Sequence, residues 1–212
     1  MRAGRGFFAR SSLEVAPELL GCLLVVDRPP GPVTVRLTEV EAYDGETDPG
    51  SHAFRGPTPR NAVMYGAAGH LYTYFTYGMH WCANIVCGPP GVATAVLLRA
   101  GEVVAGVDIA RHRRPPSAAD RDLARGPARL ASALALGRED NGADLCATPR
   151  HPSGIRLQRR EPVADQLIRQ GPRVGVSGAG GDATAYPWRF WIEGDRTVSA
   201  YRPAKPRRPR TP

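Results

Sequence analysis

The chain has 212 residues, a length that suits one domain with a hydrophobic core of its own. Its 42% hydrophobic and 23% charged residues are typical of a globular protein, and no apolar run approaches the ~18 residues of a membrane-spanning helix. The basic start, MRAGRGFFARSS, precedes no apolar segment, so we expect no secretory signal, no membrane partner and a cytoplasmic location.

The formal net charge of +8 favours a polyanionic partner, although a merely basic surface has the same balance. The four cysteines show no CxxC spacing, and the five histidines are not paired at zinc-ligand spacing. We therefore expect reduced thiols, no metal and no cofactor.

The first third of the chain predicts a short helix and two strands. Residues 7–21 form an arm and a helix that ends at Gly21, residues 22–26 form a buried strand, and residues 28–32 form a turn. Residues 33–43 then alternate with a period of two, which puts on one core-facing side Val33, Val35, Leu37, Glu39, Glu41 and Tyr43. Two carboxylates thus share the core-facing side, unless a bulge turns one of them outward.

A long loop and a β-hairpin are predicted next. Residues 44–61 are polar and rich in Gly and Pro, and a loop of this length inside a compact domain is usually functional. Residues 71–77 and 81–87 have the pattern of two strands that turn at Gly78.

The hairpin register decides which side chains meet. We expect a three-residue loop, residues 78–80, because it pairs Tyr74 with Asn84 on one face. A two-residue loop would instead pair Tyr74 with Ala83.

The remaining pattern predicts a mixed α/β (α+β) fold in one domain, residues 1–201, with a curved, mainly antiparallel sheet, a protruding hairpin and surrounding helices. From residue 202 the chain alternates Pro with basic residues, which predicts a disordered tail. The other expected elements are strands at 92–99, 173–177 and 189–193, a Gly-rich loop at 178–181, a helix at 102–112 with Val104, Val107 and Ala110 inward, and a helix at 127–136 that stops at Gly137.

Glu41 is the candidate general base. General-base activation of a water needs a positioned water and a base in a water-poor pocket, with a cation that keeps the base ionised. Arg99, at the end of the strand VATAVLLR, is the candidate cation. A buried Glu–Arg pair that only ties two strands together fits the spacing equally well, and Glu39 competes with Glu41 for the role.

Aromatic residues near Glu41 can form the walls of a pocket for a flat ligand. Tyr43 and Tyr74 are candidates, with His52 from the long loop. Tyr77 and Met79 lie at the hairpin tip, where an aromatic ring can enter a base stack. Asn84 lies among apolar neighbours, and a buried amide needs partners. Each also has an ordinary structural explanation, as core aromatic, solvated histidine or strand-to-strand hydrogen bond.

Four segments closely resemble the alkyladenine (3-methyladenine) DNA glycosylase family: LTEVEAY, SHAFRGPTPRN, LYTYFTYGMHWCANI and VLLRA. The resemblance spans residues 7–199. It implies a general base at Glu41 and a water-holding arginine at Arg99. It further implies a flipped base held between Tyr43, His52 and Tyr74, a gate against guanine at Asn84, and intercalation by Tyr77 beside Met79.

The expected function is therefore that of a monofunctional purine DNA glycosylase of base excision repair. The partner is double-stranded DNA with a damaged purine, bound by a monomer without an obligate protein partner, and associated with the nucleoid if the source is bacterial. The only lysine, Lys205, lies in the tail, so Schiff-base chemistry is disfavoured. Plausible phosphate contacts are Arg55, Arg60, Arg111, Arg113 and Arg114.

Two other functions remain open at this point. A carbohydrate hydrolase with Glu39 and Glu41 would show no affinity for DNA. A nucleic-acid-binding protein without activity would bind DNA and release no base.

Overall fold

The computed structural model describes residues 1–76, 78–147 and 152–204. These residues form a single α+β unit in which every strand pair is antiparallel. The strands are β1 (Leu23–Arg28), β2 (Gly31–Asp44), β3 (Leu71–Thr76), β4 (His80–Cys87), β5 (Thr94–Ala105), β6 (Ile155–Gln158), β7 (Ile168–Gly171) and β8 (Arg189–Ile192). The helices are α1 (Arg5–Phe8), α2 (Ser12–Leu19), α3 (Val107–His112) and α4 (Pro127–Leu134).

The strand β2 is the centre of the sheet. The strands follow the order β3-β4-β5-β2-β1-β6, and β8 joins β2 beyond the end of β1 and carries β7 on its other side. The expected α+β fold with a curved antiparallel sheet and a hairpin is confirmed. No helix among the described residues is long and apolar enough to cross a membrane.

One face of the sheet packs on helices α1, α2 and α4 and forms the main core. Helix α2 begins with a capping box, in which Ser11 and Glu14 exchange hydrogen bonds. Helix α4 has Pro127 in its first turn and ends at Leu134, two residues before the expected end at residue 136, because Ala135 adopts the left-handed conformation. The opposite face of the sheet is the one that carries the cavity described below.

A register shift in β2 decides which side chains reach that opposite face. Val33, Val35 and Leu37 belong to the main core, but beyond the shift the core is continued by Val40 and Ala42. The pairing with β5 slips on both sides of Glu39, which is what a β-bulge does. Glu39 and Glu41 therefore do not share the core-facing side of Val33, as the simple alternation predicts, and both have moved to the opposite face.

Gly101 lies directly across from Leu37 at this irregular place. A Cβ at position 101 would lie 2.4 Å from the carbonyl oxygen of Arg36 and 2.3 Å from Val35. Only glycine permits this close approach of the two strands.

The hairpin of β3 and β4 is confirmed, but the expected register is wrong. Tyr74 pairs with Cys82 and Tyr72 pairs with Asn84, so the connection comprises residues 77–79. Tyr74 and Asn84 still lie on one face. Tyr72 pairs with Asn84, and Tyr74 lies two positions from Tyr72 on the same strand, so its side chain points to the same side.

Two elements of the second half differ from their predictions. The stretch 102–105 continues β5 as a strand, so the helix begins only at Val107, and Val104 is 44% exposed rather than inward. The expected strand at 173–177 is irregular loop. The two strands that precede β8 along the chain are instead β6, which pairs with β1, and β7, which pairs with β8. The end of the predicted tail, residues 205–212, lies outside the described residues.

Candidate active site

A cavity of about 1180 Å³ opens on the face of the sheet opposite the helices. Four neighbouring strands form its floor, because alternate residues of each strand point to the same side. The floor residues are Glu41, Tyr43, Tyr72, Tyr74, Cys82, Asn84, Leu97 and Arg99. The rim includes His52 and Arg55 of the long loop, residues 174–178 and Tyr201 near the C-terminal end of the chain.

The carboxylate of Glu41 is fully buried and is held by three groups. Oε1 accepts a 2.7 Å hydrogen bond from the backbone amide of Val174, and Nη1 of Arg99 lies 3.2 Å from the same oxygen. Oε2 accepts a 2.9 Å hydrogen bond from the hydroxyl of Tyr43. The side chain is thus oriented from three directions on the cavity floor.

Arg99 bridges the carboxylates of Glu39 and Glu41 on β2. Its Nε lies 2.9 Å from Oε1 of Glu39, while Nη1 faces Glu41. Burial alone would lower the pKa of Arg99, but the charges of Glu41 and Glu39 outweigh burial and raise that pKa. The guanidinium therefore stays charged at the bottom of the cavity.

Glu39 is engaged on both oxygens by groups that lie away from the cavity. Arg189 approaches Oε1 to 2.7 Å, and Ser199 donates from its hydroxyl to Oε1 and from its amide to Oε2. Burial raises the pKa of Glu39, but the charges of Arg99 and Arg189 and the Ser199 bonds more than offset it, so the pKa lies below 4.5. Glu39 is not among the described residues that line the cavity.

Tyr43 offers the cavity both a ring and a polar group. Burial, together with the charge of Glu41, raises the pKa of Tyr43 well above 10. The phenol is therefore protonated and acts as the hydrogen-bond donor toward Glu41.

His52, Tyr72 and Tyr74 form an aromatic cluster on the other side of the floor. The ring of His52 meets that of Tyr74 edge-on at 4.5 Å, and the two tyrosines stack at 5.6 Å. Nδ1 of His52 lies 3.2 Å from the hydroxyl of Tyr72. Burial and the charge of Arg60 lower the pKa of His52 below 6.5, so the imidazole is neutral at pH 7.

Asn84 lies deep in the floor, with 5% of its surface exposed. Its amide nitrogen lies 3.3 Å from the carbonyl oxygen of Tyr72 on the paired strand, a long hydrogen bond. Asn84 therefore forms the strand-to-strand hydrogen bond of the structural explanation and also lines the cavity.

The hairpin tip presents apolar side chains to solvent. Met79 is 68% exposed and Phe75 is 45% exposed, with the Phe75 ring packed against Trp81 at 5.2 Å. Tyr77, the predicted intercalating residue, lies outside the described residues.

The five predicted phosphate-binding arginines fall in different environments. Arg55 lines the cavity rim, and Arg60 lies beside it, over the ring of Tyr74 at 5.8 Å. Arg111 forms ion pairs with Asp108 and Asp120, and Arg113 donates to the carbonyl of Ala133. Neither of these two, nor Arg114, is among the described lining residues.

Several residues around this cavity are not predicted by the sequence pattern. A buried pair of Arg173 and Asp48 lies behind Tyr43, and the amide of Val174 holds Glu41. Tyr201, Pro203 and Ala204 line the rim, although Pro203 and Ala204 belong to the tail predicted from residue 202. The one available signal is a charged residue, Arg173, inside a run of Gly and Val.

The described residues contain no group of three or more His, Cys, Asp or Glu side chains that could hold a metal ion. The four cysteines are free thiols. The chemical groups gathered in the cavity are a carboxylate, a guanidinium, phenols and an imidazole.

Comparison of the chain with known proteins points to one family. A family model described as methylpurine-DNA glycosylase matches residues 6–196. Similar proteins that carry the name "Putative 3-methyladenine DNA glycosylase" come from Streptomyces avermitilis, Leifsonia xyli and Frankia casuarinae. They are 56%, 56% and 49% identical to this chain over 98%, 94% and 98% of its length and 95%, 92% and 95% of theirs.

Proposed function

Because the chain belongs to the methylpurine-DNA glycosylase family, we propose that it takes a damaged purine out of duplex DNA and hydrolyses its N-glycosidic bond. The products are the free base and an intact abasic site, as in the first step of base excision repair. The positive net charge of +8 suits a partner with a phosphate backbone.

One observation carries this proposal: a buried carboxylate, Glu41, lies on the floor of a cavity and is paired with the guanidinium of Arg99. A carboxylate that takes a proton from an attacking water must be ionised and must be held in position. The ion pair supports the first condition, and the bonds from Val174 and Tyr43 support the second.

In the proposed step, a water molecule attacks the anomeric carbon of the flipped nucleotide. The water oxygen bonds to that carbon as the bond to the purine nitrogen breaks, and Glu41 takes a proton of the water. The sugar passes through a state with oxocarbenium character, which a neighbouring carboxylate stabilises. The guanidinium of Arg99 helps to hold the water beside Glu41.

The aromatic side chains support recognition of the base. A purine between Tyr43 on one side and the cluster of His52 and Tyr74 on the other gains ~1–3 kcal/mol from aromatic stacking. A base with a positive charge from alkylation gains more from the faces of the rings. A neutral imidazole at position 52 adds no repulsion toward such a base.

Expected substrates are 3-methyladenine, 7-methylguanine, hypoxanthine and ethenoadenine. The cationic bases leave readily as neutral molecules. Hypoxanthine and ethenoadenine are neutral, so their departure needs a proton or a hydrogen bond at the ring.

Opening the duplex is assigned to the hairpin tip. Met79 is exposed there, and Tyr77 precedes it by two residues in the sequence. A side chain that fills the space left by a flipped base offsets an unstacking cost of a few kcal/mol.

The decisive experiment compares wild-type protein with Glu41→Gln on duplexes that contain one lesion each. The amide keeps the shape of the side chain but does not accept a proton, so binding should persist while base release falls by ~100-fold or more. Release at the wild-type rate would make Glu41 structural. DNA binding without base release by the wild-type protein would instead favour a binding protein without activity.

A further inference from the structure

We propose that Arg173, with Asp48 as its partner, is a positioning residue that keeps the Tyr43 ring and the Glu41 carboxylate in one fixed relation. This inference rests on the proposed function, in which Tyr43 stacks on the base and Glu41 activates the water. Arg173 is not among the described cavity-lining residues, so it acts through its neighbours.

The guanidinium of Arg173 ties together three segments that surround the cavity. Nη1 lies 2.5 Å and Nη2 2.7 Å from the two carboxylate oxygens of Asp48, and both side chains are completely buried. Nη1 also donates to the carbonyl of Ala42 on β2, and Nη2 donates to the carbonyl of Gly180. The end of β2, the loop after it and the loop before β8 are thus joined at one side chain.

The same guanidinium supports the ring of Tyr43. Its central carbon lies 4.5 Å from the centre of that ring, and Tyr186 and Trp188 surround it at 5.4 and 5.3 Å. A planar cation that stacks on aromatic faces while it forms a two-pronged bond to a carboxylate is specific to arginine. Lysine would keep the charge and lose both features.

The position of Arg173 is also linked to Glu41 through the backbone. The next residue, Val174, donates its amide to Oε1 of Glu41 at 2.7 Å. A displacement of Arg173 therefore moves the donor that orients the proposed base. The surroundings leave little freedom, because even a Cβ at Gly50 would lie 2.5 Å from Nη2.

Stability alone is a weak reason for such a pair. Replacing a buried ion pair with apolar side chains of similar volume is often neutral or stabilising. What the ion pair provides that an apolar cluster does not is directional contact with several groups at once. Here those groups are the ones that border Tyr43 and Glu41.

The test measures single-turnover base release and stacking separately in Arg173→Lys and Asp48→Glu. Asp48→Glu retains both buried charges and shifts the guanidinium by about one methylene. We expect release to slow by about 10–100-fold, because a displacement near 1 Å has effects of this size on a reacting geometry. Placed in a Glu41→Gln background, each variant should also lose the fluorescence change of a duplex ethenoadenine, while affinity for undamaged duplex DNA changes by less than about threefold.

The matched control is Arg28→Lys. Arg28 is partly exposed, its Nη2 lies 2.7 Å from Oδ1 of buried Asp140, and it is not among the described residues around the cavity. This variant should lower the melting temperature and leave release, measured well below melting, within about twofold of wild type.

Each outcome decides a different point. Wild-type release and fluorescence in Arg173→Lys would show a purely structural pair and overturn the inference. If Arg173→Lys does not fold, the same results in Asp48→Glu would overturn it. A wild-type protein that releases no base would overturn the proposed function, whereas release by wild type and both variants alike would overturn only the role of Arg173.

Discussion

The hydroxyl of Tyr43 donates a 2.9 Å hydrogen bond to Oε2 of Glu41. One side chain therefore borders the proposed base pocket with its ring and orients the proposed general base with its oxygen. Because burial raises the pKa of Tyr43 well above 10, the direction of this bond is the same at every working pH. The two contributions can be separated by substitution.

Tyr43→Phe should retain stacking and lose the bond to Glu41. We expect unchanged affinity for lesion DNA and base release about tenfold slower, the rate equivalent of ~1.4 kcal/mol for a hydrogen bond to a charged group. Tyr43→Ala should lose ~1–3 kcal/mol of binding in addition. Titration of labelled duplexes and single-turnover assays measure the two effects, and equal weakening of binding by Phe and Ala would contradict the assignment.

Glu39→Gln should affect stability more than chemistry. The substitution removes the carboxylate that pairs with Arg99 and Arg189. Breaking a buried ion pair in this way lowers the free energy of unfolding by about 3–5 kcal/mol at neutral pH. Base release should be much less impaired than in Glu41→Gln, and the opposite ranking would move the general base to Glu39.

The same variant should change how stability depends on pH. The folded-state pKa of Glu39 lies below its usual 4.5, so its contribution is complete above pH 4.5 and is lost as the pH falls through the folded-state value. Urea unfolding from neutral pH to below 4.5 should therefore show a steeper loss for wild type than for Glu39→Gln. Parallel curves would mean that the ion pairs do not lower this pKa.

Asn84→Ser should widen the floor of the cavity. A serine is smaller and leaves space for the 2-amino group of guanine, so excision of guanine lesions should rise relative to hypoxanthine. Competition between the two lesions in one reaction measures the ratio, and an unchanged ratio would remove the gate role. The bond to Tyr72 is long, at 3.3 Å, so we expect a loss of stability of less than about 1 kcal/mol.

Two truncations should separate the effects of the C-terminal segment. A chain that stops after Ala204 loses only residues beyond the described part, and several of these are basic. It should therefore bind DNA more weakly at low salt and keep its lesion preference. A chain that stops after Ala200 also loses three residues that line the cavity, Tyr201, Pro203 and Ala204. It should alter the ratio of hypoxanthine to ethenoadenine release, and identical ratios in both truncations would show that this wall does not touch the base.

Borohydride should trap no covalent adduct on an excised lesion, and the strand should stay intact until alkali is added. Attack by an amine would form a reducible imine, but the only lysine is Lys205, which lies outside the described residues. The amino group of Met1 donates to the carbonyl of Arg159 and is not among the described cavity-lining groups. An adduct that survives Lys205→Ala would identify the terminal amine as a nucleophile.

Local patterns in the sequence are enough for the hairpin, helices α2 and α4 and most of the cavity floor. Alternation along β3 and β4 puts Tyr74 and Asn84 on one face whichever odd-length loop joins the strands, so an error in register left that conclusion intact. The apolar spacing of Val104, Val107 and Ala110 also fits a helix, and only pairing with β2 extends β5 to Ala105.

Contacts between distant segments are the part that local patterns do not contain. Arg173 and Asp48 are separated by 125 residues, and nothing near either residue specifies the other. The register shift beside Glu39 likewise depends on two strands, because it occurs where β2 lies unusually close to Gly101 of β5. Its effect on Glu39 and Glu41 follows only once both strands are in place.

That shift makes β2 sensitive to the number of its residues as well as to their identity. The core side chains Leu37 and Val40 are three positions apart, an odd step that regular alternation forbids. At this chain length, pairing without the shift would put Glu39 and Glu41 on the core side of the strand and Val40 and Ala42 on the cavity side. The extra residue and the register shift are therefore coupled, and loss of the shift alone would withdraw both glutamates from the cavity face at once.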